Sequence, residues 1–153
     1  MPIPREQLRL APDELDELCA SVRTAHVGTA TDRGPHVVPL WFVWFGGEIW
    51  ISNLRKSRRL ADLARGSPVA ICVDDGFEYA QLRGAVFYGR LVDATGSERL
   101  GAVRAAFAAK YWGGAKVPEL KSHVWLRLEQ ERLVSWDFRK IPAGRDKRLE
   151  AGG

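Results

Sequence analysis

The chain has 153 residues, enough for one domain with a sizeable hydrophobic core. Hydrophobic residues make up 46% and charged residues 27% of it, a balance typical of soluble globular proteins that excludes wholesale disorder. The formal net charge of +4 suits an anionic ligand, and no apolar run is long enough to span a membrane. We therefore expect one domain, 1–153, with its core at about 10–141 and a mobile basic tail at 142–153.

The cysteines, the histidines and the first residues of the chain disfavour several kinds of site and targeting signal. The only two cysteines, Cys19 and Cys72, are far apart and have apolar neighbours, so they predict neither a disulfide framework nor a zinc site. The three histidines lack the spacing of metal ligands, and we expect no metal centre. Residues 1–5 lack the apolar segment of a signal peptide, which favours a cytoplasmic protein.

The first half of the chain predicts one helix followed by a meander of strands. Pro12, Asp13 and Glu14 suit the start of a helix, and Leu15, Leu18 and Cys19 repeat on one face. Turn signals at Asp32 to Gly34 and at Gly46-Gly47 separate the strands that follow. The predicted elements are a helix at 12–23 and strands at 25–31, 36–45 and 48–53.

One stretch of this meander, residues 41–45, is apolar on both faces. A strand with one face in water alternates between apolar and polar residues, so both sides of this strand should be covered. One cover would be the barrel core, and the other would be a partner subunit, a helix or a ligand.

The second half of the chain alternates between helical and strand periodicity. Hairpin spacing dominates, which favours a mainly β (α+β) fold over a parallel α/β sheet. Gly84 and Gly89 suit the bends of a closing barrel. We predict a six-to-seven-stranded antiparallel barrel with peripheral helices. The predicted elements are helices at 57–65 and 97–111 and strands at 69–73, 79–92, 123–128 and 132–138.

A basic segment, residues 52–59, joins a predicted strand to a predicted helix. Four cations lie near the helix N-terminus, where the helix dipole makes each of them unfavourable by roughly 0.3–1 kcal/mol. A bound anion would neutralise them and satisfy the free backbone N–H groups, and the Ser57 hydroxyl could cap the helix or bind that anion. The alternative is that these side chains spread into solvent. No glycine-rich phosphate loop is present, so side chains and the helix end would hold a mononucleotide.

Other candidate motifs are less informative. The serines lack His and Asp partners at a recognisable spacing, which disfavours a hydrolase triad. Asp74 and Asp75 precede Gly76 and are better explained as turn residues than as paired catalytic carboxylates. Residues 111–114 predict either a lid over a planar ligand or a helix C-cap with a docked aromatic side chain.

Taken in order, these motifs resemble the split β-barrel superfamily that includes the pyridoxamine 5′-phosphate oxidases and the deazaflavin (F420)-dependent reductases. The resemblance covers about residues 10–141. It rests on residues 27–31 with 34–36, 48–52, Leu60 and Leu63 before Pro68, 75–79 running into 82–84, and 135–140. The last stretch is similar to a subgroup with deazaflavin dependence.

The resemblance implies an FMN-binding type of split barrel that forms a homodimer with cofactor sites at the subunit interface. It also implies that the basic segment binds the cofactor phosphate and that the strand at 77–83 lies along the ring system. In such a dimer the partner would cover the second face of residues 41–45. The implied cofactor-binding residues are Ser52, Asn53, Lys56, Ser57, Arg58, Arg59, Tyr79, Ala80 and Arg83.

The expected function is hydride transfer from reduced deazaflavin F420 to an unsaturated small-molecule acceptor. The chain lacks the C-terminal segment that binds pyridoxal phosphate in the oxidases proper, which disfavours vitamin B6 oxidation. The basic segment, with Arg139 and Lys140, suits the acidic tail of F420 and suits FMN almost as well. The alternatives are an FMN-dependent oxidase or reductase and a non-enzymatic cofactor carrier. We expect no nucleic-acid or membrane partner, and the residues identify neither the acceptor nor a catalytic proton donor.

Overall fold

A computed structural model describes residues 3–57, 66–116, 118 and 121–143. Two α-helices, three short 3-10 turns and seven β-strands make up the described fold. The helices are α1 (Pro12–Ser21) and α2 (Leu100–Tyr111), and the 3-10 turns are Arg5–Leu8, Tyr79–Gln81 and Phe138–Lys140. The strands are β1 (Thr24–Thr31), β2 (Gly34–Trp41), β3 (Val43–Phe45), β4 (Glu48–Leu54), β5 (Pro68–Asp75), β6 (Arg83–Asp93) and β7 (His123–Asp137).

The seven strands form one antiparallel sheet in the order β2-β1-β5-β6-β7-β4-β3. Its two outermost strands, β2 and β3, are separated in the chain by Phe42 alone. The two edges of the sheet must therefore lie side by side, which requires the sheet to curl into a barrel. This confirms the predicted mainly β, antiparallel split-barrel fold.

Inward-pointing side chains, which alternate with outward-pointing ones along each strand, fill the barrel. In β1, Ala25 and Val27 point inward and are fully buried, whereas His26 between them is exposed. Phe42 and Phe87 contribute the largest aromatic rings to this core. Burial of such a side chain stabilises the fold by roughly 1.5–3 kcal/mol. Helix α1 covers part of the barrel with the buried Leu18 and Cys19, as its sequence pattern predicts.

A second apolar cluster lies on the outer face of the sheet, beneath α2. Val43 and Trp50 from the strands pack there with Val103 from α2. Trp41 stacks on Tyr111 at the end of the same helix, with ring centroids 4.5 Å apart. A helix of the same chain therefore covers much of the second face of residues 41–45, which is one of the covers that the sequence pattern allows. Trp41 remains 48% exposed, and the expectation that a partner subunit also covers this face stays a prediction.

Other differences from the predicted elements have local causes. The strand predicted at 36–45 is divided at Phe42, where the chain leaves one sheet edge for the other. The two strands predicted after residue 123 are one strand, β7, because its polar residues Glu129, Gln130 and Arg132 stay paired with β6. Glu131 has no partner in this register, so a bulge in β7 bends the strand pair opposite Tyr88 and Gly89, next to the bend predicted at Gly89. The helix predicted at 57–65 falls almost entirely outside the described residues.

Candidate functional site

A pocket of about 630 Å³ lies between α2, the segment that follows α2, and the neighbouring ends of β4 and β7. Pockets of this size bind cofactors and other small molecules in many proteins. Its lining residues are Ser52, Arg55, Thr95, Leu100, Arg104, Phe107, Trp112, Pro118, Lys121, His123 and Trp125.

Strand and helix periodicity together place these side chains on one surface. Ser52 pairs with Trp125 across β4 and β7, so both side chains lie on the outer face of the sheet. Leu100, Arg104 and Phe107 are spaced by four and three residues on α2, which puts them on one helix face. Helix α2 crosses the outer face of the sheet, and the pocket lies where the helix face just described meets β4 and β7.

Three aromatic side chains form the apolar wall of the pocket. The rings of Phe107 and Trp125 meet edge to face at 5.8 Å, and Phe107 meets Trp112 edge to face at 6.3 Å. The backbone N–H of Trp125 donates to Thr95 Oγ1 at 3.0 Å, which fixes that part of β7 against the loop after β6. Trp112 is 42% exposed and offers open ring surface to a ligand.

The pocket is also positively charged. Arg55, Arg104 and Lys121 line it, and no carboxylate is found among its described lining residues. The backbone N–H of Arg55 donates to Ser122 O at 2.7 Å, and its Nε donates to Lys121 O at 3.3 Å. These bonds hold the end of β4 against the start of β7. Arg55 and Lys121 therefore lie together at one fixed corner of the pocket. A concave surface of this charge concentrates anions.

The structure brings one group of the sequence-predicted residues to this corner. Ser52 lines the pocket, whereas the adjacent Asn53 faces the barrel side and is buried, with only 7% of its surface exposed. Asn53 Oδ1 accepts a hydrogen bond from Leu54 N at 3.0 Å, whereas its buried Nδ2 has no hydrogen-bond partner among the described residues. The exposed Lys56 and the partly buried Ser57 follow in a turn closed by a bond from Ser57 N to Leu54 O at 3.1 Å.

Arg58 and Arg59 lie outside the described residues, so their assignment to the cofactor phosphate stays a prediction.

A second group of predicted residues lies at the opposite end of β7. Tyr79 and Ala80 belong to a 3-10 turn, so the prediction of a strand beginning at residue 79 was wrong. The Tyr79 ring stacks on Phe138 with centroids 5.0 Å apart, which places this turn at the end of β7. Trp125, opposite Ser52, and Asp137, opposite Arg83, are twelve positions apart along β7, which is roughly 40 Å of extended strand. The two groups therefore do not share a pocket within one chain.

Arg83 itself is held by two carboxylates. Its Nε and Nη2 donate to the two oxygens of Asp75 at 2.8 Å, and it forms a second two-pronged ion pair with Glu17 of α1. These contacts raise the pKa of Arg83 and lower the pKa of Glu17. The same contacts show that Asp75 pairs with Arg83 across the sheet and belongs to β5. The prediction that Arg83 contacts a cofactor stays a prediction, and its observed partners tie α1 to the sheet.

The two cations near the C-terminus that suited an acidic cofactor tail also have partners. Arg139 forms a two-pronged ion pair with Asp137, at 2.9 and 2.7 Å, which lowers the pKa of that carboxyl. Lys140 Nζ lies 2.8 Å from a carboxylate oxygen of Glu14 on α1. Arg139 is therefore paired within its own segment, whereas Lys140 fastens the end of β7 to α1, and neither residue lines the pocket.

The sequence reasoning missed most of the pocket. Arg104 lies on the apolar face of a helix, and a cation in such a position is a detectable signal. Lys121, His123 and Trp125 carry no signal of their own, because only the pairing of β4 with β7 brings them beside Ser52. Trp112 belongs to the stretch predicted to be either a lid over a ligand or a helix C-cap. It agrees with both predictions in part, since it lines the pocket and its N–H caps α2 by donating to Ala108 O at 2.9 Å.

None of the described helices has the length and apolar character that crossing a bilayer requires. Within the described ranges, no group of three or more His, Cys, Asp or Glu side chains is arranged to hold a metal ion.

A family model described as pyridoxamine 5′-phosphate oxidase matches residues 11–137. Among curated proteins, no sequence matches the chain. Among solved structures, a conserved hypothetical protein from Mycobacterium tuberculosis is similar, with 27% identity, a TM-score of 0.80 and 92% of each chain covered.

Two further structures share the fold at lower identity. The FAD and heme binding protein from Mycobacterium smegmatis is 22% identical, with a TM-score of 0.68 and 94% of this chain and 78% of that chain covered. The heme storage protein HutZ from Vibrio cholerae is 19% identical, with a TM-score of 0.64 and 84% of this chain and 96% of that chain covered.

Proposed function

Because the chain belongs to the pyridoxamine 5′-phosphate oxidase family, we propose that it is an oxidoreductase that binds a flavin-type cofactor through the cofactor phosphate. The reaction is hydride transfer from reduced deazaflavin F420 to an unsaturated organic small molecule. The observation that carries the proposal is the pocket beside β4, where Arg55 and Lys121 meet an aromatic wall.

The donors at the end of β4 fit a phosphate. Ser52 offers a hydroxyl, Arg55 offers a guanidinium, and Lys56 and Ser57 follow in the adjoining turn. The buried Nδ2 of Asn53 lacks a partner in the described part of the chain, and an unsatisfied donor of this kind costs roughly 1–3 kcal/mol. Asn53 faces the barrel side, so its Nδ2 does not reach the pocket, whereas an anion bound at this corner would neutralise the charges of Arg55 and Lys56.

When bound, the cofactor would supply the hydride, and this chain would bind and orient it. Ser52 and Arg55 would fix the phosphate end of the cofactor. The aromatic wall formed by Phe107, Trp112 and Trp125 would keep water away from the part of the ligand that enters the pocket.

The ring end of the cofactor would be bound by a second copy of the chain. Tyr79 and Ala80 are expected contacts of the ring, yet they lie at the far end of β7 from Ser52. A homodimer can bring Tyr79 of one protomer beside Ser52 of its partner. The exposed side chains Val37 and Val134, on the outer face of the sheet, support such an interface, and Phe77 at the turn before Tyr79 is 91% exposed.

Two alternatives use the same corner. An FMN-dependent oxidase or reductase would need the same phosphate contacts. A non-enzymatic carrier is the second alternative, and the fold relatives named as an FAD and heme binding protein and a heme storage protein support it. His123 in the pocket is the observation that favours a heme among the possible cargoes, because imidazole is a common axial ligand of heme iron.

The first test is equilibrium titration of the purified protein with F420, FMN and hemin, followed by tryptophan fluorescence. We expect F420 to bind most tightly, and we expect Arg55→Gln to weaken its binding about 10–100-fold. A hydrogen bond between charged groups is worth roughly 1.5–3 kcal/mol, which corresponds to that range. Arg33→Gln, in the exposed turn between β1 and β2, is the matched control and should leave binding unchanged.

Preference for FMN would favour the flavin enzyme, and tight binding of hemin without turnover would favour the carrier. If neither F420 nor FMN binds, the proposed oxidoreductase function is wrong.

A further inference from the structure

A second cavity, of about 290 Å³, opens between the start of β4 and the middle of β7. The ladder between these strands ends at the pair of Trp50 with Arg127, although β4 extends back to Glu48 and β7 continues to Asp137. Beyond that pair the strands separate, and their backbone groups no longer pair with each other. The lining residues of this second cavity are Trp44, Gly47, Glu48, Ile49, Phe87, Arg127, Leu128, Glu129 and Gln130.

The second cavity is distinct from the pocket beside Ser52. The two share none of their described lining residues. An inference about the second cavity therefore does not depend on the proposed function.

One carboxylate at the rim of the second cavity has only a weak partner. Glu48 is bound on both oxygens, by Arg99 at 2.7 Å and by Arg127 at 2.6 Å. Arg127 thus makes its short bond to Glu48 and reaches Glu129 at 3.4 Å, through one oxygen of a side chain that is 58% exposed. Within the described part of the chain the Glu129 carboxylate makes no other contact of this kind, so its second oxygen is available to a ligand.

The charges around the second cavity favour a cationic ligand. Asp16 of α1 lies beside it, because Asp16 Oδ1 accepts a hydrogen bond of 2.8 Å from the indole Nε1 of Trp44. Among the charged side chains named so far, three carboxylates therefore face the two guanidinium groups of Arg99 and Arg127. A cation would balance the excess negative charge, whereas an anion would meet unfavourable carboxylates.

The inner walls of the second cavity are aromatic and aliphatic. The rings of Trp44 and Phe87 have centroids 5.6 Å apart and are tilted by 50°. Ile49 and Leu128, which belong to the barrel core, also line the cavity. Aromatic ring surface beside carboxylates suits an organic cation, because the ring attracts positive charge and the apolar body of the ligand is buried. The cavity lies at the lower end of the usual range for ligand sites, about 300–1,000 Å³, so the ligand must be small.

We propose that the second cavity binds a small organic cation, a primary ammonium ion on a short apolar body. An ammonium group has three donors and no acceptor. The free oxygen of Glu129, the amide oxygen of Gln130 and the backbone carbonyls where the strands separate are acceptors for it. The apolar body would contact Ile49, Leu128 and the Trp44 ring.

The test is an NMR titration of the purified full-length protein with butylammonium, and separately with 1-butanol and butyrate as probes of similar size. The reported signal is the indole N–H of Trp44, assigned by its loss in Trp44→Phe. We expect butylammonium to shift this signal saturably and to bind at least about fivefold more tightly than either other probe, because only the cation balances Glu129.

A pair of matched variants tests the role of the carboxylate. Glu129→Gln should weaken butylammonium binding about two- to fivefold, the range expected for a partly exposed ion pair. Glu131→Gln removes the same charge from the same strand, but Glu131 pairs with Arg90 and does not line the cavity. This control should leave the affinity unchanged. Thermal unfolding verifies that both variants are folded.

Each opposite outcome refutes the cation site. Equal binding of butylammonium and butyrate, or the same loss of affinity in both glutamine variants, would show that Glu129 does not select the ligand. Shifts at Trp112 and Trp125 without a shift at Trp44 would locate binding in the pocket beside Ser52 instead. Absence of any saturable shift would also overturn the proposal, while the F420 titration would still decide the proposed function.

Discussion

At the scale of single residues, charge pairing separates cations that stabilise the fold from cations that are available to a ligand. Arg83, Arg139 and Lys140 lie beside carboxylates that hold them in place. Arg55 and Lys121, by contrast, line a pocket whose described residues include no carboxylate. Sequence alone does not separate these classes, because the partners of Arg83 on α1 and β5 are 66 and 8 residues away in the chain.

A stability measurement tests the structural role of Arg83. Its side chain is only 9% exposed, and it donates two hydrogen bonds of 2.8 Å to Asp75. We expect Arg83→Gln to lower the free energy of unfolding by about 2 kcal/mol, because charge-assisted bonds are lost from a buried site. Urea denaturation measures this change.

Arg90→Gln is the matched control for this experiment. Arg90 pairs with Glu131 at 3.4 Å, and both side chains are at least half exposed. Because exposed pairs contribute roughly 0–1 kcal/mol, the control should change stability little. Equal losses in the two variants would show that Arg83 has no special structural role.

At the scale of elements, α2 is held to the barrel by its last turn. The Tyr111 hydroxyl accepts a bond from Phe42 N at 3.1 Å and lies 2.6 Å from Arg23 O, which can accept its proton. Lys110 Nζ lies 3.9 Å from the centre of the Phe42 ring and donates to Cys19 O on α1 at 3.1 Å. These contacts link α2 to both α1 and the junction of the sheet edges, so they fix the helix face that lines the pocket.

Lys110 makes this contact sensitive to pH. Burial lowers its pKa to about 8, from an ordinary value of 10.5. Between these two values the unfolded chain binds more protons at this residue than the folded chain, so its contribution to stability rises with pH. Burial raises the pKa values of Cys19 and Tyr111, which lie beside Lys110, so their contributions to stability change with pH in the opposite sense. The charge of Arg23 also acts on Lys110, and the charge of Asp16 acts on Cys19.

A comparison with Lys110→Met isolates this effect. We expect the free energy of unfolding of the wild type, relative to the variant, to increase as the pH is raised from about 8 to 10.5. Denaturant titrations at several pH values measure the difference, and titration of the neighbouring groups largely cancels in it. A difference that is constant over this range would show that Lys110 keeps its ordinary pKa.

Element types were largely predictable from periodicity, whereas their ends and partners were not. The apolar repeat predicts a helix over 97–111, and α2 begins later because Ala94 to Ser97 form a hydrogen-bonded turn. The strand at 36–45 looked continuous because Phe42 is as apolar as its neighbours, although it marks a change of partner strand. Ser52, the first residue of the basic segment, was predicted from the resemblance to the split-barrel superfamily. The wall of the pocket that α2 forms was not predicted, because only tertiary packing brings this helix close to Ser52.

At the scale of the whole molecule, the two groups of predicted cofactor residues lie at opposite ends of β7. They would form one site only if two copies of the chain associate. The outer face of the sheet presents Val37 and Val134 to solvent, and Val134 lies beside Val86 of the neighbouring strand. An apolar surface of this kind suits an isologous interface between two copies.

Substitution on this face tests the assembly. We expect the wild type to be a dimer by light scattering and Val134→Glu to shift it to a monomer, because a carboxylate would be buried without a partner. The monomer should also bind F420 more weakly, since the ring end of the site would be lost. Ala102→Glu, on the exposed side of α2, is the control for an added charge. A wild-type monomer with full F420 affinity would contradict the shared site.

The position of β7 has a consequence for synthesis of the chain. Among the described strands it is the last in sequence, yet it lies between β6 and β4 in the sheet. Until it leaves the ribosome, β4 and β6 each have an edge with unsatisfied backbone groups, and such edges invite pairing with other chains. We therefore expect the barrel to close only after β7 has been synthesised, so that β4 and β6 keep open edges during most of translation.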